Sequence, residues 1–512
     1  MSKKVKSLYA IIFSVALILA MSWATEQTVV FADSLSTYNL TGFAKATTGG
    51  GVLAVTDPGY AQVTTAQQFL DALYSNYKNK AYGTYTAPVK VIEIMNDLNL
   101  GYTEVGTSVT SSTSGSSLMS AHAAPKLHPV LLQTGVSKID IKAKSGGLTI
   151  FSANGATIRH CTLNIKSTNN IIVRNLKFDE LWEWDEASKG DYDKNDWDFI
   201  TLGNGGAAYN IWIDHCTFTK AYDGIADLKA GCYNITFSWN KVTGDDGGTN
   251  SNSWVRQQFN YLEQNSSSYP MYYWLRTRGF SINDLVTINQ GHDKTHLAGS
   301  TSLDSDNASF SITFNHEWYQ NVWDRNPVRL RAGNVHVYNC YADDTVGLAA
   351  KRLRDTRVAA MSAADQVKIN GNSTTDPTYH MGVFLNGTIS TEGGAVLVEN
   401  SIYQDCLYPL RNNQTDPSDS EYTGKIKATN TIYHMDNADG TVMEIQGNST
   451  DSGNPLGPFQ ASLIAFSWNG FTSLPYTYTM DQPTGLKLSL TNGAGAGKLT
   501  WDKSNWLKTS YP

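Results

Sequence analysis

A pattern of eight or nine residues, in which apolar and polar side chains alternate, recurs along this chain of 512 residues. Apolar residues fill its second and fourth places, a polar residue or a cysteine follows, and an apolar or aromatic residue comes next. The leading aliphatic residues of neighbouring copies lie 24 residues apart in one case and 23 in another. The copies are Asn170–Phe178, Asn210–Phe218, Asn234–Val242, Ser311–Tyr319, Asn334–Tyr341, Ala395–Tyr403 and Lys425–Tyr433.

A short strand repeated at this period, with no helix between copies, predicts stacked β-coils. One coil cannot bury its apolar face alone, so the coils must share one elongated core. The alternative is a β-sandwich, whose hairpins need Asn-Gly or Asp-Gly turns between adjacent strands. Such pairs occur at Asp223-Gly224, Asn370-Gly371 and Asn386-Gly387, but they do not separate the copies regularly. We therefore predict an all-β solenoid.

Four asparagines occupy one place of the pattern and are predicted to form an internal ladder of hydrogen-bonded side chains: Asn175, Asn339, Asn400 and Asn430. The chain also has five cysteines, without the spacing of a zinc site. They are Cys161, Cys216, Cys232, Cys340 and Cys406. We predict that they are buried as small hydrophobic residues. The sequence does not decide whether Cys216 and Cys232 form a disulfide.

Four aspartates, Asp196, Asp198, Asp223 and Asp227, precede a basic run from Arg325 to Arg331. Residues spaced as Asp-x-Asp on an extended strand point to the same face, because side chains alternate across a strand. Carboxylates suit a hard cation such as calcium, and a guanidinium matches the geometry of a substrate carboxylate. The combination predicts a site for a divalent cation and an acidic polymer.

The first 32 residues have the order of a secretory signal peptide, with lysines, an apolar run from Leu8 to Met21, and small residues. We predict cleavage after Ala32, with Ala24 as second choice, and hence a secreted protein. The apolar run is shorter than the ~20 residues of a membrane span. Removing residues 1–32 takes away three lysines and Glu26, which changes the formal charge from −7 to −9. An acidic chain is a poor nucleic-acid partner.

Several motifs together resemble polysaccharide lyase family 1, the pectate and pectin lyases. They are Trp212-Ile-Asp-His-Cys-Thr-Phe218, Asp223-Gly-Ile-Ala-Asp227, Ile235-Thr-Phe-Ser-Trp-Asn240, Arg325-Asn-Pro327 and Arg331-Ala-Gly-Asn-Val-His336. The resemblance runs from about Thr41 to Leu499. It implies a right-handed parallel β-helix with long loops that form a substrate cleft, in a single domain over residues 33–512.

The resemblance also implies a secreted, calcium-dependent pectate lyase that cleaves polygalacturonate or pectin by β-elimination. Asp198, Asp223 and Asp227 match the calcium-ligand positions, with Asp196 as an auxiliary ligand. Arg325 matches the residue that removes the C5 proton. It lies six positions before Arg331, which matches the second, substrate-binding arginine. That spacing is longer than usual in the family, so a bulge or a contribution from Arg329 is expected.

The substrate-binding lysine of the family is expected at Lys294, after an insertion over about residues 241–290. Inside the insertion, Tyr269–Arg276 is rich in aromatic and cationic side chains, and either sugar stacking or core packing would explain it. His215 has no serine or cysteine motif to accompany it and is predicted to be structural. We expect a monomer.

Other functions remain open from the sequence. A pectin lyase acting on methyl-esterified chains would work without the full calcium set. A glycoside hydrolase on the same solenoid would need two carboxyl groups flanking the bond. A non-catalytic wall-binding protein would keep the β-helix and lose the arginines.

Overall fold

Strands that recur once per coil build three sheets in the computed structural model. The structure describes residues 39–77, 84–105, 119–122, 135–144, 146–192, 195–247, 253–370, 379–411, 423–436, 442–447 and 465–499. From Leu40 onward these residues belong to one compact unit. The predicted signal peptide lies outside the described residues.

The strands are numbered in chain order. Sheet 1 contains β1 (Tyr60–Val63), β2 (Val91–Ile94), β6 (Leu148–Phe151), β9 (Thr168–Arg174), β12 (Ala208–Asp214), β15 (Tyr233–Ser238), β18 (Ser311–Asn315), β21 (Asn334–Tyr338), β24 (Ala395–Glu399) and β27 (Lys425–Thr429). Sheet 2 contains β3 (Leu98–Asn99), β7 (Thr157–Arg159), β10 (Lys177–Asp179), β13 (Thr217–Phe218), β16 (Lys241–Val242), β19 (Trp318–Gln320), β22 (Tyr341–Asp343), β25 (Ile402–Gln404), β28 (Thr431–Asp436) and β29 (Val442–Gly447). Sheet 3 contains β4 (Met119–Ala121), β5 (Ser137–Ile141), β8 (Cys161–Ile165), β11 (Ile200–Leu202), β14 (Ala226–Leu228), β17 (His296–Ala298), β20 (Val328–Arg331), β23 (Asn386–Thr391) and β26 (Tyr408–Arg411).

Neighbouring strands are parallel except for two terminal pairs, β4 with β5 and β28 with β29. Helices lie in the connections: α1 (Ala66–Ser75), α2 (Tyr102–Val105), α3 (Trp254–Gln264), α4 (Pro270–Thr277), α5 (Ile282–Asn289), α6 (Thr345–Ala359), α7 (Ala363–Ile369) and α8 (Pro483–Gly493). The predicted right-handed parallel β-helix is confirmed, and the β-sandwich is excluded because its strands would pair through antiparallel hairpins. None of the helices among the described residues combines the length and apolar composition that a membrane crossing requires.

The second place of the sequence pattern forms an aliphatic ladder inside the coils. Ile211, Ile235, Ile312, Val335 and Val396 are partners on successive strands of sheet 1, and all are fully buried. The fourth place forms a parallel ladder that includes a stacked ring pair, Phe237 and Phe314, with centroids 5.0 Å apart. The period in the sequence therefore reports one shared apolar core, as stacked coils require.

Each copy of the pattern turns a corner in its middle, so it is two short strands and not one. The corner residue has a left-handed backbone, with φ of 53° at Asn175, 47° at His215 and 52° at Asn339. Asparagine tolerates this conformation better than most residues. The predicted ladder is confirmed at one end, where Asn339 donates to the Asn400 carbonyl at 3.2 Å and Asn430 donates to Asn400 Oδ1 at 3.0 Å.

At the other corners, the corner residues make different contacts. Asn175 donates to the Ser152 carbonyl at 2.6 Å. In the middle coils, the rings of His215, Trp239 and His316 stack with centroids 5.8 and 4.4 Å apart. His215 is fully buried and lies 2.7 Å from Asp214, which confirms the prediction that it is structural. All five cysteines are buried, as predicted, and each is free, so the Cys216–Cys232 disulfide that the sequence left open does not form in this structure.

The chain between β16 and β17 contains α3, α4 and α5, within the residues predicted as an insertion. The aromatic segment in α4 mainly packs inward, since Met271, Tyr272 and Leu275 are buried in the main core, while Tyr273 is 54% exposed. The sequence left sugar stacking and core packing open for this segment, and three of its side chains pack in the core. That residues 241–290 are an insertion stays a prediction.

Candidate active site

The residues singled out in the sequence lie on four successive strands of sheet 3 or just before them. Ile200, Ala226, His296 and Val328 are partners on β11, β14, β17 and β20. Counting back along each strand from this row therefore places Asp198 and Lys294 in one row and Asp223 and Arg325 in the next. Because parallel strands lie about 4.8 Å apart, residues far apart in the chain become neighbours.

Three carboxylates form one acidic group beside β11 and β14. Oxygens of Asp196, Asp198 and Asp227 all lie within 4.8 Å of one another. Asp196 is exposed, whereas Asp198 and Asp227 are buried. The expectation that Asp196 and Asp198 share a strand is wrong, because both precede β11 in irregular backbone. The fold, and not strand alternation, makes their side chains converge.

Asp198 is the most constrained of these residues. Burial, together with the charges of Asp227, Asp223 and Asp196, raises its pKa well above the usual range. Its Oδ1 accepts a hydrogen bond from the Gly224 amide at 2.8 Å, while Oδ2 is buried and has no hydrogen-bond partner among the described residues. A Cβ at Gly224 would stand 2.7 Å from Asp198 Oδ1, so glycine is required there.

This arrangement fits a hard cation. A buried, unpartnered carboxylate oxygen beside two further carboxylates is unfavourable unless a positive charge neutralises it. Calcium binds carboxylate oxygens in flexible geometry, and the donor set contains no softer ligand.

Asp223 has a different environment from the other three aspartates. Its Oδ1 lies 2.5 Å from Lys294 Nζ. Burial raises the pKa of Asp223 to about 6, although Lys294 and, to a smaller extent, Arg325 lower it. The structure thus joins the predicted lysine directly to a predicted metal ligand, and Asp223 lies outside the group of three.

Lys229 belongs to the site and was missed by sequence reasoning. Its Nζ lies 2.9 Å from Asp227 Oδ2 and 3.7 Å from Asp196 Oδ1. Burial tends to lower the pKa of Lys229, but Asp227 and Asp196 outweigh it and raise the pKa above the usual value. A signal was present, because Lys229 follows Asp227 by two residues and alternation sends both side chains to one face of β14.

Arg325 immediately precedes the cis peptide Asn326-Pro327 and has a φ of 66°. The Thr295 hydroxyl donates to the Arg325 carbonyl and also to the Pro327 carbonyl, which holds this turn against the neighbouring coil. Arg325 Nε is 3.5 Å from Asp324 Oδ2 and makes no hydrogen bond within the part of the chain that the structure describes. Arg325 and Lys294 line one open cleft of about 460 Å³.

Arg331 lies at the end of β20, beyond the row of Arg325. Its Nη1 donates to the Gly299 and Ser300 carbonyls at 2.6 and 2.7 Å, and its Nε is 3.8 Å from Glu392. Arg329 and Arg331 alternate with buried Val328 and Leu330, so both arginines face outward. No bulge interrupts β20, so the expectation of a bulge is wrong. Arg329 pairs with Leu297, and Leu297 pairs with Asp227, which places the three residues in one row.

Comparisons with known proteins agree with this geometry. A family model described as pectate lyase matches residues 10–248 and 282–499. Pectate lyase B of Paenibacillus amylolyticus is 44% identical over 426 residues, which are 82% of this chain and 99% of that protein. Pectate trisaccharide-lyase of Bacillus licheniformis is 30% identical over 41% of this chain and 45% of its own length.

A solved structure of a pectate lyase from Paenibacillus sp. 0602 superposes with a TM-score of 0.80 and 47% identity, and it covers 93% of this chain and 99% of its own.

Proposed function

The chain belongs to the pectate lyase family, and we propose that it cleaves polygalacturonate by calcium-dependent β-elimination. The observation that carries the proposal is the buried, unpartnered oxygen of Asp198. It lies within the group of three carboxylates, in the row next to that of Arg325. A cation site on sheet 3, together with a cleft lined by Lys294 and Arg325, suits a substrate that carries a carboxylate on every sugar.

Asp196, Asp198 and Asp227 would hold calcium, and Asp223 would join them when Lys294 turns to the substrate. Calcium would link the enzyme to a uronate group and withdraw electron density from the carboxylate beside C5. Lys229, Lys294 and Arg331 would neutralise uronate charges along sheet 3, Lys294 just before β17 and Lys229 and Arg331 at the ends of β14 and β20.

Arg325 is the proposed base for the C5 proton. Lys294 lines the same cleft, and Asp324 Oδ2 lies 3.5 Å from Arg325 Nε. Asn386 Nδ2 donates to Asp324 Oδ1 at 2.7 Å, which directs part of that carboxylate away from the guanidinium.

The elimination then proceeds without an external oxidant or reductant. The C5–H electron pair forms the C4–C5 double bond as the proton passes to Arg325, and the C4–O bond breaks. The departing oxygen takes a proton from water, and Arg325 returns its proton to solvent. The products are an unsaturated sugar end and a shortened chain.

We also propose that the chain is a member of polysaccharide lyase family 1, as the motifs around Trp212 and Arg331 support. Secretion, cleavage of residues 1–32 and a monomeric state are further proposals. Mass spectrometry of the exported protein and its sedimentation in solution would test them.

The decisive experiment follows the ultraviolet absorbance of unsaturated product from polygalacturonate, first with calcium and then with a chelator. We expect a calcium-dependent rise, and we expect Arg325→Ala to lower the rate roughly 100-fold or more, as the loss of an acid–base group does. Arg278→Ala is the control, because Arg278 lies outside the cleft, 3.5 Å from Asp365. New reducing ends without absorbance would show hydrolysis, and full activity in chelator with methyl-esterified pectin would favour a pectin lyase.

A further inference from the structure

The cleft that Lys294 and Arg325 line also has a wall that is not part of the β-helix. This wall consists of α6 and the segment 379–384, and Lys351 and Phe384 line it. We propose that this wall is an additional subsite that binds further uronate residues of the polymer beyond the cleaved bond. The inference rests on the proposed function.

Phe384 provides a flat apolar surface in this cleft. It is 59% exposed, among the most exposed of the large hydrophobic residues that the structure describes. Its ring rests against Gly382, since a Cβ at Gly382 would stand 2.5 Å from Phe384 Cζ. One part of the ring is therefore supported by backbone while the rest faces solvent. Aromatic rings in this position can pack against the CH face of a sugar.

Lys351 provides a positive charge in the same wall. Its Nζ lies 2.7 Å from Asp355 Oδ2, and both side chains are partly exposed, at 31% and 44%. An exposed ion pair of this kind is worth little free energy. Lys351 can therefore exchange Asp355 for a uronate carboxylate without a large penalty.

The wall is held in place by Arg354, which we assign as a positioning residue. Its Nε donates to the Met381 carbonyl at 3.1 Å, and its Nη2 donates to Asn370 Oδ1 at 2.8 Å. The amide of His380 donates to the Lys189 carbonyl at 2.8 Å. These bonds fix the segment that carries Phe384 to α6 and to the coil before β11, so the subsite is preformed.

The test compares Lys351→Ala and Phe384→Ala with the wild type on oligogalacturonates of increasing length and on polygalacturonate. We expect both variants to match the wild type on the shortest oligomer that is cleaved. On the polymer, kcat/KM should fall about three- to ten-fold for each variant, the size of one aromatic or charged contact. Gly382→Ala, which must displace the ring, should reproduce part of the Phe384→Ala loss.

The matched controls are Arg352→Ala, an exposed cation on α6 outside the cleft, and Leu488→Ala, an exposed apolar residue on α8. Neither should alter the dependence on chain length. Retardation in gels that contain polygalacturonate gives a second readout, and the two subsite variants should be retarded less than the wild type. Equal losses at all lengths, or no loss on the polymer, would overturn the subsite. Absence of unsaturated product from the wild type would instead refute the proposed function.

Discussion

At the scale of single residues, Asp198 shows a conflict between stability and function. Its carboxylate is fully buried, close to three other aspartates, and one oxygen lacks a hydrogen bond among the described contacts. Without a cation this arrangement destabilises the fold, because like charges and burial both oppose ionisation. The residue is explained if a bound cation supplies the missing charge.

We expect Asp198→Asn to raise the melting temperature of the chelator-treated protein at neutral pH. The amide removes the buried charge and can still accept the Gly224 hydrogen bond. Calcium at about 100 times its Kd should stabilise the wild type by about 2.7 kcal/mol, and the variant by much less. Thermal unfolding with calcium and with chelator measures both effects. Asp71→Asn on α1 is the control, and an unchanged calcium effect in Asp198→Asn would contradict the assigned site.

Sequence reasoning at this scale predicted the aspartates, Lys294 and Arg325 as site residues, because their residue types and spacing match a known pattern. It did not find Lys229, although alternation after Asp227 indicated it. It also did not separate Asp223 from the other three aspartates. That separation depends on Lys294, which lies on the next coil and 71 residues further along the chain.

At the scale of structural elements, the corners between sheets 1 and 2 determine how each coil closes. Asn339 has a φ of 52°, and its side chain donates to the Asn400 and Asp481 carbonyls at 3.2 and 2.7 Å. It therefore satisfies a backbone conformation and joins two other segments at once. The sequence indicated the asparagine ladder, but it did not reveal that each copy of the pattern bends there.

Substitutions at this corner separate the two roles. Asn339→Ala loses the hydrogen bonds and also strains the left-handed backbone, whereas Asn339→Gly loses only the hydrogen bonds. We expect Ala to lower the free energy of unfolding by about 1 kcal/mol more than Gly does, since a left-handed conformation costs roughly 1–2 kcal/mol in residues with a Cβ. Chemical denaturation measures the difference, and equal losses would show that backbone strain is unimportant here.

At the scale of the whole molecule, stacking the coils buries ionisable groups as well as apolar ones. Glu317 lies in the core next to a corner and accepts hydrogen bonds from the Asn240 amide at 3.0 Å and the Tyr319 hydroxyl at 3.1 Å. Burial raises its pKa to about 8, although these hydrogen bonds oppose the shift. The folded protein therefore holds a proton on Glu317 that the unfolded chain loses at a lower pH.

This difference should make stability fall as the pH rises from the unfolded pKa of 4.5 to about 8. The slope attributable to one proton is at most about 1.4 kcal/mol per pH unit. Glu317→Gln cannot ionise, so we expect the variant to gain stability relative to the wild type as the pH rises from 5 to about 8. Denaturation at several pH values measures it, and a constant difference between the two proteins would contradict the prediction.

A second buried group, Lys144, is the reason for comparing Glu317→Gln with the wild type at each pH. Burial lowers the pKa of Lys144 to about 7. The unfolded chain then binds the extra proton above that pH, so Lys144 makes stability rise with pH in the alkaline range. Its contribution is the same in both proteins and cancels in their difference.

The sequence by itself determined the coil, because apolar residues at alternate places and a repeat of about 24 residues can bury their surface in few ways other than stacking. It also determined the types of residue in the site. Only the tertiary structure decided that three aspartates form one group while Asp223 binds Lys294, and that Phe384 and Lys351 line the same cleft as Arg325. Those neighbours come from different coils and connections, and their distances depend on strand register and on helix packing, which no local pattern encodes.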